Sequence, residues 1–150
     1  MSLIWKQDAV LMAIGDGADE GVANGAHLVL DEGNRLVRSP PKTGRIYTTR
    51  FFTIGRGAGR RVIPYGSRAP HQASAPGEAP ANDTGALIAS GRVTAAKGTY
   101  AAFAGWQRIY AFFLEFGTDR MEPRPFIRRA LMAMADNILL SVGVAIERRL

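Results

Sequence analysis

The sequence predicts an α+β domain: a small antiparallel sheet flanked by an N-terminal helix and a long C-terminal helix, with a long central loop. Three observations lead there. Apolar residues recur at helical spacing towards both ends, and β-branched and aromatic runs broken by glycines lie between them. "HQASAPGEAPANDTGAL", His71 to Leu87, interrupts the middle with two prolines and two glycines. At 150 residues the chain is read as one domain, 1–150, with the loop at about 66–83; a fold of this size buries about 70% of the surface its unfolded chain exposes. A hydrophobic fraction of 47% suffices for a core and excludes global disorder.

From Asp8 to Leu30, Leu11, Ile14, Ala18, Val22, Ala26 and Val29 follow the period of an amphipathic helix. Gly15, Gly17, Gly21 and Gly25 each weaken it by up to about 1 kcal/mol, so it must be held by packing, and Gly33 in "DEGN" marks its end. Ile46 to Ile54 reads as a strand and "RVIPY" as a short second one stopping before Pro64; "GRGAGRR" turns between them, which gives a hairpin with a basic tip. Asp83 or Thr84 caps a helical turn in "DTGALIAS", and "GRVTAAKGTYAAFAGW" supplies two strands turning at Lys97 and Gly98. "QRIYAFFLEFGT" is a short helix whose Ile109, Phe112, Phe113 and Phe116 face a core, stopped by Gly117. After Pro125, Ile127, Leu131, Met134, Ile138, Val142 and Ile146 form the stripe of the last helix.

With no cysteine, disulfide frameworks, thiolate zinc sites and cysteine nucleophiles are excluded. Lys6 and Asp8 fall where a signal peptide needs an apolar run, and no segment approaches the roughly 18 apolar residues of a membrane span, so a soluble chain without a membrane partner is expected. The net charge of +6 is unevenly placed. From Arg35 to Arg68 there are nine cations and no Asp or Glu. Such a block is either a solvated, edge-protecting face or one that meets nucleic acid phosphates without reading bases.

Catalytic and cofactor chemistry find little support. "IGRGAGRRV" has Arg60 where a dinucleotide fingerprint needs its third glycine, and it has no P-loop lysine before Ser or Thr. His27 and His71 have no partners at metal-ligand spacing. Glu115 sits in the last turn of its helix, where the dipole disfavours a carboxylate; a cation is expected beside it, and Arg128 or Arg129 is nearest in sequence. Asp119 and Glu122 could join it as an acid–base pair, but nothing in the sequence builds a pocket around them. The expectation is therefore no catalytic, cofactor or metal residues.

Two segments together resemble a family. "HQASAPGEAPANDTGAL" is similar to the loop-then-short-helix signature of the small tail-component proteins of long-tailed bacteriophages, and "YAFFLEFGTDRMEPRPFIRRAL" to their more specific C-terminal signature. In the latter, Tyr110, Ala111, Glu115 to Thr118, Met121, Pro125 and Phe126 fall in the expected order; "KTGRIY", Lys42 to Tyr47, is a weaker third piece. Arg129 stands where relatives often have a second proline.

The resemblance implies a neck or tail-completion subunit of the virion, assembled in the bacterial cytoplasm as a sixfold homo-oligomeric ring. Such a ring would complete the head-proximal end of the tail and join it to the head connector or stopper, with the tail tube or terminator on its other side. A tail terminator ring is the nearest alternative, and a small nonspecific nucleic-acid-binding protein the alternative from another class. On the first reading duplex DNA passes through the lumen, and Arg50, Arg56, Arg60 and Arg61 are the DNA-channel candidates. His71, Gln72, Ser74, Pro76, Gly77, Glu78, Pro80 and Asp83 are the subunit-interface candidates, in a loop expected to gain order from a neighbour. Glu115, Gly117, Pro125 and Phe126 form a structural turn.

Overall fold

The computed structural model describes residues 6–39, 42–55 and 57–150, with side chains described for all of these except 49–53 and 65–69. The α+β class is as expected, but the antiparallel structure is divided into two separate hairpins. Helix α1 (Gln7–Arg38) packs along α4 (Ile127–Glu147). Strands β3 (Gly91–Ala96) and β4 (Ala101–Trp106) lie on α1, whereas β1 (Ile46–Ile54) and β2 (Arg61–Gln72) make extended contact only with each other. Two short helices, α2 (Ala86–Ala89) and α3 (Ile109–Phe116), complete the chain.

The glycines of α1 are explained by α4. A Cβ on Gly17 would fall 2.7 Å from Ile146 Cα, one on Gly21 would overlap Val142 Cα, and one on Gly25 would lie 2.8 Å from Ile138 Cγ2. Spaced by four on both helices, these pairs run antiparallel and let the backbones touch. The glycines that weaken α1 alone are thus what allows it to be packed. The Ser141 hydroxyl reaches the Gly21 carbonyl across the same contact at 2.9 Å, and Arg149 holds Glu20 at 2.7 Å near the end of the pair.

The expected end of α1 at Gly33 is corrected: the helix continues to Arg38. Gly33 serves packing instead, because a Cβ there would lie 2.5 Å from the Trp106 ring. The stop comes at Ser39, whose ψ of 130° is the extended conformation imposed by the following proline, and its N–H donates to Arg35 O at 2.8 Å. Trp106 then donates its indole N–H to Asn34 Oδ1 at 3.0 Å and meets Phe126 edge-on at 4.9 Å. Val37, Ala79, Leu87 and Ala111 join these two aromatics in the core.

The β3–β4 turn falls at Lys97 and Gly98 as expected, and α1 pins it. The Asp19 carboxylate accepts the N–H groups of Gly98 and Tyr100, holding Tyr100 at a φ of 53° that a bulky residue rarely adopts. Strand β2 does not stop at Pro64, as the sequence reading had it, but runs through it to Gln72. In a two-stranded ribbon every strand is an edge, so a missing N–H can face outward. The register slips between Tyr47 and Thr49 and between Thr49 and Phe51, close to Pro64's partner Phe51.

The stripe of α4 packs on α1 except at Leu131, which is exposed. Its other side shows Met132, Leu139, Leu140 and Val144 to solvent. By length and composition this helix could cross a membrane, with a mean hydropathy of 1.6 over 18 residues. That corrects the expectation that no segment approaches a span.

Candidate assembly surfaces

Three surfaces carry the residues singled out above, and the first is the β1–β2 hairpin. Its end is a short 3₁₀ turn, Gly57–Gly59, with Gly55 at a φ of 86° where a Cβ would strike the Gly59 carbonyl oxygen at 2.6 Å. Arg60 and Arg61 are brought together beside this turn, both exposed. Arg56 and the side chain of Arg50 lie outside the described residues. Thr53 pairs with Val62 and Ile54 with Arg61, so the two-residue period places Ile54, Arg61 and Ile63 on one face of the ribbon and Val62 on the other. Ile54, Val62 and Ile63 are all exposed.

The second surface is the central segment. Because β2 includes His71 and Gln72, the irregular stretch starts at Ala73 and not at 66, and it is bound to its own chain. Its path is set by backbone pairing: Gly44 N–H donates to Ala73 O, and Gly77 N–H to Pro123 O at 3.0 Å. Side chains add to this. Arg124 Nε donates to the carbonyl of buried Ser74, and Lys42 Nζ donates to Leu36 O and Ala79 O at 3.0 and 2.9 Å. Burial draws the Lys42 ammonium below its ordinary pKa. Pro80 is buried, Asp83 stands 3.9 Å from His71 Nδ1, and the exposed parts are Pro76 with Gly77 and the stretch from Asn82 to Thr84. The expectation of an arm awaiting a neighbour is therefore replaced by a segment already satisfied within one chain. Beside it lies an open cleft of about 380 Å³ lined by His71, Ser74, Asn82, Asp83, Tyr110 and Arg124.

Glu78 is the anchor of this segment. Its carboxylate accepts Thr43 Oγ1–H at 2.6 Å, Thr43 N–H at 3.0 Å and Ala75 N–H at 2.8 Å. These bonds to the charged form lower its pKa from 4.5 to about 2. A carboxyl whose folded pKa is depressed adds stability above its unfolded pKa, and that stability is lost as pH falls from about 4.5 towards about 2. Glu78→Gln is expected to flatten this acid limb in melting temperatures compared between about pH 2 and about pH 5; an unchanged limb would show the bonds to be inert.

The third surface surrounds the turn between α3 and α4. Glu115 is 5% exposed, and its carboxylate is held by backbone N–H groups and not by an arginine side chain. Oε2 accepts the N–H groups of Phe126 and Ile127 at 2.8 and 2.9 Å, and Oε1 that of Arg128 at 3.0 Å. Phe126 opens α4 and has no side-chain oxygen with which to cap it, so Glu115 supplies the cap and the negative charge from eleven residues away. Sequence reasoning looked for a cation and missed a helix N-terminus; the proline-to-helix transition at Pro125 was the available signal. Gly117, with a φ of 78°, lets Met121 O approach to where a Cβ would be 2.7 Å away. The turn residues thus act as one unit that closes α3 onto α4.

The apolar face of α3 corrects another expectation. Ile109, Phe112, Phe113 and Phe116 were read as core, yet they are 80%, 61%, 41% and 59% exposed, while Ala111 and Glu115 point inward. A helical stripe has the same period whether it meets a core or a partner, which is why the pattern alone misassigned it. In the turn after Phe116, Asp119, Arg120 and Glu122 are all exposed. No family model, curated protein or solved structure matches the chain.

Proposed function

We propose that this chain is a structural subunit of a bacteriophage neck, completing the head-proximal end of the tail and joining it to the head connector around the DNA channel. The observation that carries the reading is the combination, in one small chain, of a basic hairpin whose strands make extended contact only with each other and two helix faces, on α3 and α4, left apolar in solvent. Exposed apolar area on this scale marks surfaces that other chains cover. Arg60 and Arg61 supply charge without base-reading geometry, which suits DNA that must slide. The Glu115-to-Phe126 unit, where the resemblance to tail-component proteins is most specific, maintains the fold.

Electron microscopy of particles from cells lacking the chain tests this. Filled heads and separate tails are expected; normal joined virions would sink the neck assignment. In particles from cells that instead carry the chain with Arg60→Gln and Arg61→Gln, heads are expected to stay joined to tails but DNA retention to be impaired, and unchanged retention would remove the lumen role. The basic hairpin also favours a second reading, a nonspecific nucleic-acid-binding protein. That reading requires tight duplex binding by the purified chain, weakening steeply with salt.

A further inference from the structure

Resting on the reading of the chain as a ring subunit, we propose that the β1–β2 hairpin of one copy docks across the outward face of α3 on the next copy. Two unsatisfied surfaces on one molecule motivate this. A two-stranded ribbon is marginal by itself and needs a third strand or a helix to pack against, and β1 and β2 make extended contact only with each other. The α3 face, for its part, shows Ile109, Phe112, Phe113 and Phe116 to water.

The two surfaces fit each other in chemistry. One ribbon face carries Ile54 and Ile63 beside Arg61, and the α3 face carries exposed aromatic side chains, with the exposed carboxylates Asp119 and Glu122 in the turn that follows the helix. Apolar area meets apolar area, and the cation meets carboxylates. Pairing two hairpins would instead set arginine-rich segments against each other, since no Asp or Glu occurs from Arg35 to Arg68. The contact joins unlike surfaces, so each copy gives one and receives one, which is the arrangement that closes rings. The central segment leaves this role vacant because its polar groups are already bonded within the chain.

The absence of cysteine makes the test clean. Ile54→Cys and Phe116→Cys are prepared as separate proteins, mixed under mild oxidation, and compared with each variant alone. Docked thiols share an effective concentration in the millimolar range, so mixed disulfide is expected to exceed either homodimer by about tenfold or more. Homodimers of Ile54→Cys in excess, or no mixed species with a monomeric mass at every concentration, overturn the proposal. Phe112→Glu, at an exposed position that leaves the circular dichroism unchanged, is expected to convert oligomer to monomer; an unaffected mass overturns it too. The neck assignment fails separately: unjoined particles without a mixed disulfide leave that assignment standing and remove the docking. Mixed disulfide together with normal virions lacking the chain does the reverse.

Discussion

Glu115→Ala is expected to destabilise the chain by about 3–5 kcal/mol, with hydrogen bonds to a charged group contributing about 1.5–3 kcal/mol each and water replacing only part of them. Three N–H groups at the start of α4 lose their acceptor at once, beside Phe126, which is fully buried. A loss of this size is a large share of the roughly 5–15 kcal/mol that holds a domain together. Glu115→Gln should fall between, because one amide oxygen can serve some of the donors while the NH₂ faces another N–H. Arg128→Ala separates this account from an ion pair. It should cost no more than about 0.5 kcal/mol, as an ordinary exposed substitution does. Urea denaturation of the three variants measures all of these; a loss in Arg128→Ala equal to that of Glu115→Ala would restore the ion-pair explanation.

The second large effect is a matter of sign. Gly21→Ala is expected to destabilise by about 1–3 kcal/mol, even though alanine favours a helix by about 1 kcal/mol over glycine. Its methyl would overlap Val142 Cα and lie 3.0 Å from Ser141 O, and neither backbone group can turn aside. Gly143→Ala, on the open side of α4 with nothing within 4 Å of its Cβ position, is expected to stabilise by up to about 1 kcal/mol. The same change on two packed helices should thus move the denaturation midpoint in opposite directions. If Gly21→Ala raised stability, the close approach of the two backbones would be disproved.

Much of the fold was legible because its signals are local. The stripe of α4, the glycine turns and the β3–β4 strands are each set by residues a few positions apart, and the glycines of α1 already called for tight packing. What escaped depends on distant partners. Gly33 has the composition of a helix stop, yet Trp106 makes it a packing position. Proline and glycine made 71–83 read as an arm, whereas Lys42, Thr43, Pro123 and Arg124 tie it down. Glu115 and the α3 phenylalanines were singled out correctly and given the wrong neighbours. Period and charge say that a residue needs company; they do not say whose. The hairpin, not the loop, is the projecting element, and its arginines were visible from charge alone.

The hydrogen bond from Ser141 to Gly21 joins residues 120 positions apart, and it belongs to the contact that holds α1 straight. During synthesis, α1 therefore emerges long before α4, against which it is close-packed. Until α4 has left the ribosome, a helix with five glycines, at 15, 17, 21, 25 and 33, cannot persist.

 The β3–β4 turn, which leans on Asp19 of that helix, has to wait as well. Folding of α1 is thereby gated by α4, and long-range closure of this kind is slow. A chain built this way cannot complete its fold before α4 has been synthesised, so a partner that recognises the folded surfaces finds them only after that point.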